Sequence, residues 1–132
     1  MIRPDFDEIK RLAGSGTVIP VVKTLLADTE TPVSAYLKIR DRSTYSFLLE
    51  SVEGGEKMAR YSFLGADPYM IFRARGKSGT IRDLSTGKEQ RFTGDPVGEL
   101  RAIMKRFEPV HLEGLPRFTG GGVGYFAYDA IR

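Results

Sequence analysis

Glu50 and Ser51 close an otherwise apolar run, Tyr45-Ser46-Phe47-Leu48-Leu49, and Arg60-Tyr61-Ser62 follows across a Gly54-Gly55 break. A buried carboxylate beside a hydroxyl and strand-end amides suits an α-amino acid. The ligand's ammonium meets the carboxylate, its carboxylate meets amide hydrogens, and its side chain enters an apolar slot. The same residue types also satisfy one another as a structural ion pair, Glu50 with Arg60, which is the usual form in which buried charges persist. Both readings place a buried anion at Glu50.

Other chemistry is excluded by composition. The 132 residues contain no Cys, no Trp and one His. Disulfides, zinc-thiolate sites and thiol nucleophiles are therefore absent. His111, between Val110 and Leu112 in a Pro-flanked stretch, has no second His for a metal site or a Ser-His-Asp relay and receives no functional role. Gly76-Lys77-Ser78 resembles the end of a phosphate loop, but Ile71 stands where the first glycine belongs and a strand pattern follows. Gly122-Val123-Gly124-Tyr125-Phe126-Ala127 formally fits a dinucleotide fingerprint, yet no βαβ unit surrounds it. Its glycines instead suggest close backbone approach in a buried strand.

The elements that must position Glu50 and its neighbours are readable from spacing. Asp5 and Glu8 form a capping box before Phe6, Ile9, Leu12 and Ala13, and Gly14 suits a left-handed stop to that helix. Residues 17 to 24 are β-branched around Pro20, which implies an edge strand or a bulge. Thr31-Pro32 opens a helix over 33 to 39, with a strand as the competing assignment. Residues 45 to 51 read as a strand buried on both faces, and 60 to 65 as its antiparallel return. Strands over 68 to 74, 80 to 84 and 89 to 93 are separated by turns at Gly76 to Gly79 and Ser85 to Lys88. Asp95-Pro96 caps a helix whose stripe of Val97, Leu100, Ile103, Met104 and Phe107 reads as core packing. Lys105 and Arg106 near its end complement the helix dipole.

Runs of strands between helices define an α+β class with an antiparallel sheet and flanking helices. A hydrophobic fraction of 41% and charged fraction of 28% are globular values, and residues 1 to 132 read as one domain. The net charge of +3 comes from 20 basic and 17 acidic residues, interspersed rather than gathered on one face, so nucleic acid is not an expected partner. No apolar run reaches the roughly 20 residues of a membrane helix, and the N-terminus lacks a signal-peptide core, so no membrane partner is expected and a cytoplasmic location is.

Four motifs occur in order: Thr31-Pro32-Val33-Ser34-Ala35-Tyr36-Leu37-Lys38, Leu48-Leu49-Glu50-Ser51, Arg60-Tyr61-Ser62-Phe63-Leu64-Gly65, and Gly121-Gly122-Val123-Gly124-Tyr125-Phe126-Ala127-Tyr128-Asp129. Together they resemble the N-terminal region of anthranilate synthase component I, a chorismate-utilising enzyme. The resemblance spans essentially the whole chain. It implies an αββα sandwich of which these residues supply the N-terminal part. The family's chorismate site, its Mg²⁺-binding carboxylates and its catalytic His belong to a C-terminal domain outside these residues, so no catalytic residue and no cofactor is expected here.

What the resemblance assigns to this region is feedback inhibition by tryptophan. Carried over by motif, Glu50 meets the ligand ammonium, Ser51 gives a hydroxyl, and Tyr61 and Ser62 give backbone and surface. Lys57 and Arg60 stand beside them, at a spacing from the first motif that varies within the family. The implied partners are tryptophan and a glutamine amidotransferase subunit, and the region alone is expected to be inactive and to self-associate through apolar surface. Two other readings stand beside this one: the N-terminal part of para-aminobenzoate synthase component I, and a self-contained small binding module.

Overall fold

The computed structural model describes residues 2–50 and 61–131. Two strands near the N-terminus, β1 (Ile2–Arg3) and β2 (Val22–Lys23), pair antiparallel with Ile2 opposite Lys23. Between them lies helix α1 (Phe6–Leu12). Its capping box forms in both directions: the Glu8 amide donates to Asp5 Oδ1 at 2.8 Å and the Asp5 amide to Glu8 Oε2 at 3.0 Å. The stop differs from the expected left-handed Gly14. Ala13 ends the helix in right-handed conformation, and the Ser15 amide returns to the Leu12 carbonyl at 2.8 Å, which satisfies that carbonyl without a positive φ.

The strand expected over 17 to 24 is shorter than its composition suggests. Pro20 has no amide hydrogen to continue a ladder, and only Val22–Lys23 beyond it pairs as a strand. Before it, Thr17 and Val18 bond to the 106–110 segment instead. Both amides donate to the Glu108 carbonyl, the Val110 amide returns to Val18, and the Glu108 amide donates to Thr17 Oγ1 at 2.8 Å.

Helix α2 (Pro32–Arg40) settles the competition between helix and strand. Pro32 lies in its first turn, and Thr31 caps it reciprocally with Ser34. It packs on a two-stranded antiparallel sheet of β3 (Ser46–Leu49) and β4 (Phe63–Ala66), and Tyr36 Oη lies 3.1 Å from Ser46 Oγ. In that sheet Gly65 sits opposite Phe47 and Leu49 opposite Phe63. Burial on both faces of β3 does not occur: its first three residues are half-buried and Leu49 is 48% exposed, because among the described residues the sheet has two strands and no third strand flanks β3 at its end.

The remaining strands, β5 (Met70–Arg75), β6 (Ser78–Asp83) and β7 (Glu89–Thr93), form a three-stranded sheet in that order. Gly76, at φ +58°, occupies the first position of the two-residue β5–β6 turn, where a non-glycine residue would be strained. The stretch that mimics a phosphate loop is thus a hairpin. At the β6–β7 turn Asp83 accepts from the Ser85 hydroxyl at 2.6 Å and from the amides of Ser85 and Thr86. These bonds, the Ser85 hydroxyl first, hold its carboxyl below the usual aspartate range. The antiparallel open sheets and helices make the class α+β, as the strand pattern implies, with the strands divided among three sheets rather than gathered in one.

Helix α3 (Pro96–Met104) starts where Asp95 accepts from the Val97 amide at 2.9 Å. Its stripe is only partly core: Ile103 is 5% exposed, whereas Val97 and Met104, at its two ends, are exposed. The largest departure comes after residue 117. The glycine-rich segment forms no strand: Gly121 has φ +137°, which breaks a β ladder, and Tyr125 and Phe126 are exposed ahead of a 3₁₀ turn over Tyr128–Ile131 whose first residue, Tyr128, is exposed too.

The chain divides into two compact units, one of Met1–Leu25, Ala74–Gly79 and Thr93–Arg132, the other of Leu26–Arg73 and Thr80–Phe92. In the first, Ile103 and Val110 are buried. In the second, Phe92 is buried and stacks on Phe72 with ring centroids 5.3 Å apart.

Candidate functional site

The site residues lie in the second unit, at the end of the β3–β4 pair. Each rung of that pair sums to the same register, so one further step places Glu50 opposite Ser62. The side chains meet there: the Ser62 hydroxyl donates to Glu50 Oε1 at 3.5 Å. Next to Ser62, the Tyr61 ring lies 6.2 Å from Phe63, tilted by 33°, and Tyr61 is 46% exposed. Three of the four principal residues expected for a ligand site, Glu50, Tyr61 and Ser62, are therefore adjacent. The fourth, Ser51, and the neighbouring Lys57 and Arg60 lie outside the described residues, as does any Glu50–Arg60 pair.

One expectation about this site is corrected. Glu50 is exposed, not buried, because β3 ends at Leu49 and the carboxylate projects past the last rung of a two-stranded sheet. An exposed carboxylate keeps its hydration until a ligand covers it, so its attraction for an ammonium depends on the ligand or a further surface excluding water.

The frame behind the site is held by α2. At its N-terminus Ser34 Oγ lies 2.6 Å from Glu30 Oε2, and Lys38 forms an ion pair and hydrogen bond with Glu30 Oε1. The Lys38 ammonium, followed by the Ser34 hydroxyl, holds the Glu30 carboxyl below its ordinary range. Thr31, Ser34 and Lys38 of the first motif thus work locally, fixing the helix that carries Tyr36 to β3.

A second feature of this unit carried no sequence signal beyond an Asp before a Pro. Ser43, Thr44, Tyr45, Asp67, Pro68, Arg82 and Leu84 line an open cleft of about 340 Å³. The Ser43 Oγ accepts from the Asp67 amide at 2.9 Å and lies 2.6 Å from the Tyr45 carbonyl, while Arg73 donates to the Tyr45 hydroxyl at 2.9 Å.

Among the described residues no group of three or more His, Cys, Asp or Glu could hold a metal ion. Nor is any helix of these residues long and apolar enough to cross a membrane.

Fold and site together define an α+β protein with a polar strand-end site beside an apolar ring. No family model matches the chain. Over all 132 residues it is 43% identical to anthranilate synthase component 1 of Acetivibrio thermocellus and 45% identical to that of Synechocystis sp.. Over 127 residues, 96% of the chain, it is 44% identical to that of Aquifex aeolicus. The chain spans about a quarter of the length of these curated relatives: 26% of the first two and 25% of the third. Anthranilate synthase component 1 is thus the family that the chain resembles from end to end, and the share covered is in keeping with the N-terminal region its four motifs suggest.

Proposed function

We propose that this chain is the N-terminal regulatory region of an anthranilate synthase component I, and that it binds tryptophan at the end of the β3–β4 pair. The observation that carries the reading is the meeting of Glu50 and Ser62 one rung past Leu49 and Phe63, with Tyr61 alongside. The Glu50 carboxylate takes the ligand ammonium, Ser51 gives a hydroxyl, and Tyr61 and Ser62 line the ligand; Lys57 and Arg60 complete the residues assigned to the site. The exposure of Glu50 and of Tyr61 leaves much of such a ligand wet, so binding to this region alone is weak and a further surface of the longer protein completes the pocket.

In the longer protein the reaction is chorismate plus ammonia to anthranilate and pyruvate, with ammonia supplied from glutamine by a partner amidotransferase. Mg²⁺ and the catalytic residues act in a region beyond this chain. The chain by itself is inactive, and it acts in the cytoplasm. Tryptophan bound at Glu50 inhibits by favouring an arrangement of the protein in which the chorismate site is not competent, a coupling between two sites.

Calorimetry of the full-length subunit with L-tryptophan tests this, comparing the unaltered protein with Glu50→Ala and Ser51→Ala. Weakened binding in both, with the inhibition constant rising in parallel, is the expected result. Unchanged affinity in both variants refutes the site.

A further inference from the structure

The cleft lined by Ser43, Thr44, Tyr45, Asp67, Pro68, Arg82 and Leu84 combines opposite charges with an apolar wall. Among the described residues neither Asp67 nor Arg82 has an ion-pair partner, and they do not pair with each other; both are exposed, so the lining carries an unpaired carboxylate and an unpaired guanidinium that a ligand would have to cover. Asp67 is the sole non-glycine residue with a positive φ among those described, at +52°. Its conformation is fixed by its amide, which donates both to Ser43 Oγ at 2.9 Å and to the Tyr45 carbonyl at 3.2 Å. Just past the end of β6, the Leu84 amide donates to the Tyr69 carbonyl at 2.7 Å, which anchors the backbone two residues on from Arg82.

Tyr45 carries a further donor group. Its hydroxyl oxygen accepts from Arg73 Nη2 at 2.9 Å, and the Arg73 guanidinium also lies 5.6 Å from the ring centroid. With one lone pair so engaged, the phenolic hydrogen has no acceptor among the described residues and stays available to an anion. The cleft thus offers donors from Arg82, Tyr45 and Thr44, an acceptor at Asp67, and the apolar faces of Pro68 and Leu84.

We propose that this cleft binds a small zwitterion of the α-amino-acid type, with its carboxylate toward Arg82 and Tyr45, its ammonium toward Asp67, and an aliphatic side chain on Pro68 and Leu84. Guanidinium and carboxylate are the natural counterparts of the two ends, and opposite charges kept apart favour a ligand that carries both over one that carries either alone. The site is distinct from the Glu50 site and does not rest on the tryptophan reading.

The test is an amide-detected NMR titration of the 132-residue chain with L-leucine, with 4-methylpentanoate, which lacks the ammonium, and with 3-methylbutylamine, which lacks the carboxylate. Saturable shifts at residues 43–45, 67 and 82–84 with leucine, at least tenfold weaker with each half-ligand, are expected. Arg82→Gln and Asp67→Asn should each reduce leucine affinity tenfold or more, and Asn retains the left-handed conformation, so the second variant tests charge without refolding the turn. No leucine shifts at these residues, equal affinity for either half-ligand, or unaltered affinity in both variants would overturn the proposal. Shifts confined to residues 61–63 would overturn it too, while leaving the Glu50 site standing.

Discussion

Ser62 donates to Glu50 across the end of a two-stranded sheet, at 3.5 Å, one rung beyond the pair formed by Leu49 and Phe63. At that length the bond is weak, so little is lost when a ligand ammonium displaces it. For tryptophan bound to the full-length subunit, Glu50→Gln should cost about 1.5–3 kcal/mol, as loss of a charge-assisted contact does, and Ser62→Ala about 1 kcal/mol or less. Because the chain contains no Trp, bound tryptophan on the isolated chain is readable by its own fluorescence against tyrosine alone. Equal losses in the two variants would contradict this ranking.

Gly16 and Gly14 should respond oppositely to alanine. A Cβ at Gly16 would meet the Glu108 carbonyl oxygen at 2.5 Å and Val110 Cγ2 at 2.9 Å, at the segment where Thr17 and Val18 bond to Glu108. Gly16→Ala is expected to destabilise by about 1–3 kcal/mol through overpacking. Nothing lies within 4 Å of a Cβ at Gly14, and its φ is not positive, so Gly14→Ala should be neutral or stabilise by up to about 1 kcal/mol through the unfolded chain. Urea unfolding of both variants checks the difference in sign.

Thr31→Ala removes the acceptor for the Ser34 amide and should weaken α2 by about 1 kcal/mol, the usual cost of losing a polar N-cap. Since α2 packs on β3 and β4, hydrogen exchange should rise in that sheet as well as in the helix. A change confined to the first helical turn would show that the sheet does not depend on it.

Glu30 should titrate below its ordinary value of 4.5, because the Lys38 ammonium and then the Ser34 hydroxyl favour its charged form. For a carboxyl whose folded-state value is depressed, the stabilising contribution is complete above the unfolded value and is lost as pH falls through the folded one. The affected window therefore lies below pH 4.5, and the effect is small because the pair is exposed to solvent. Carboxyl-detected NMR should show the midpoint moving up toward 4.5 in Lys38→Ala; a midpoint unmoved by that change would assign the shift to Ser34.

Tyr125, Phe126 and Tyr128 are 92%, 69% and 79% exposed, three aromatic rings within four residues. Exposed apolar surface of this kind promotes association, so the chain is expected to show a concentration-dependent mass by sedimentation, reduced in a Tyr125→Ser, Phe126→Ser variant. A monomer at every concentration would refute it.

Local signals carried a good part of the fold. The Asp5–Glu8 and Thr31–Ser34 boxes, Pro32 and Pro96 in first turns, and the β6–β7 turn act over three or four residues, and each formed where the residue types place it; the β5–β6 turn is tighter than the expected Gly76 to Gly79, with Ser78 and Gly79 already in β6. Where a partner distant in sequence decides the outcome, composition misleads. Residues 17 and 18 look β-branched and strand-like, yet they join the 106–110 segment, and residues 122–127 look like a buried strand but have no neighbour to pair with among the described residues.

The same division runs through the site. The sequence alone placed Glu50 beside Tyr61 and Ser62, because residue type, strand length and the Gly54-Gly55 break imply an antiparallel return, and it carried the likeness to anthranilate synthase component 1. Only the tertiary structure decided that Glu50 is exposed and that Asp67 and Arg82 share a cleft. Burial depends on how many layers close over a strand end, and a cleft depends on which distant turns meet. Neither quantity is a property of any local run of residues.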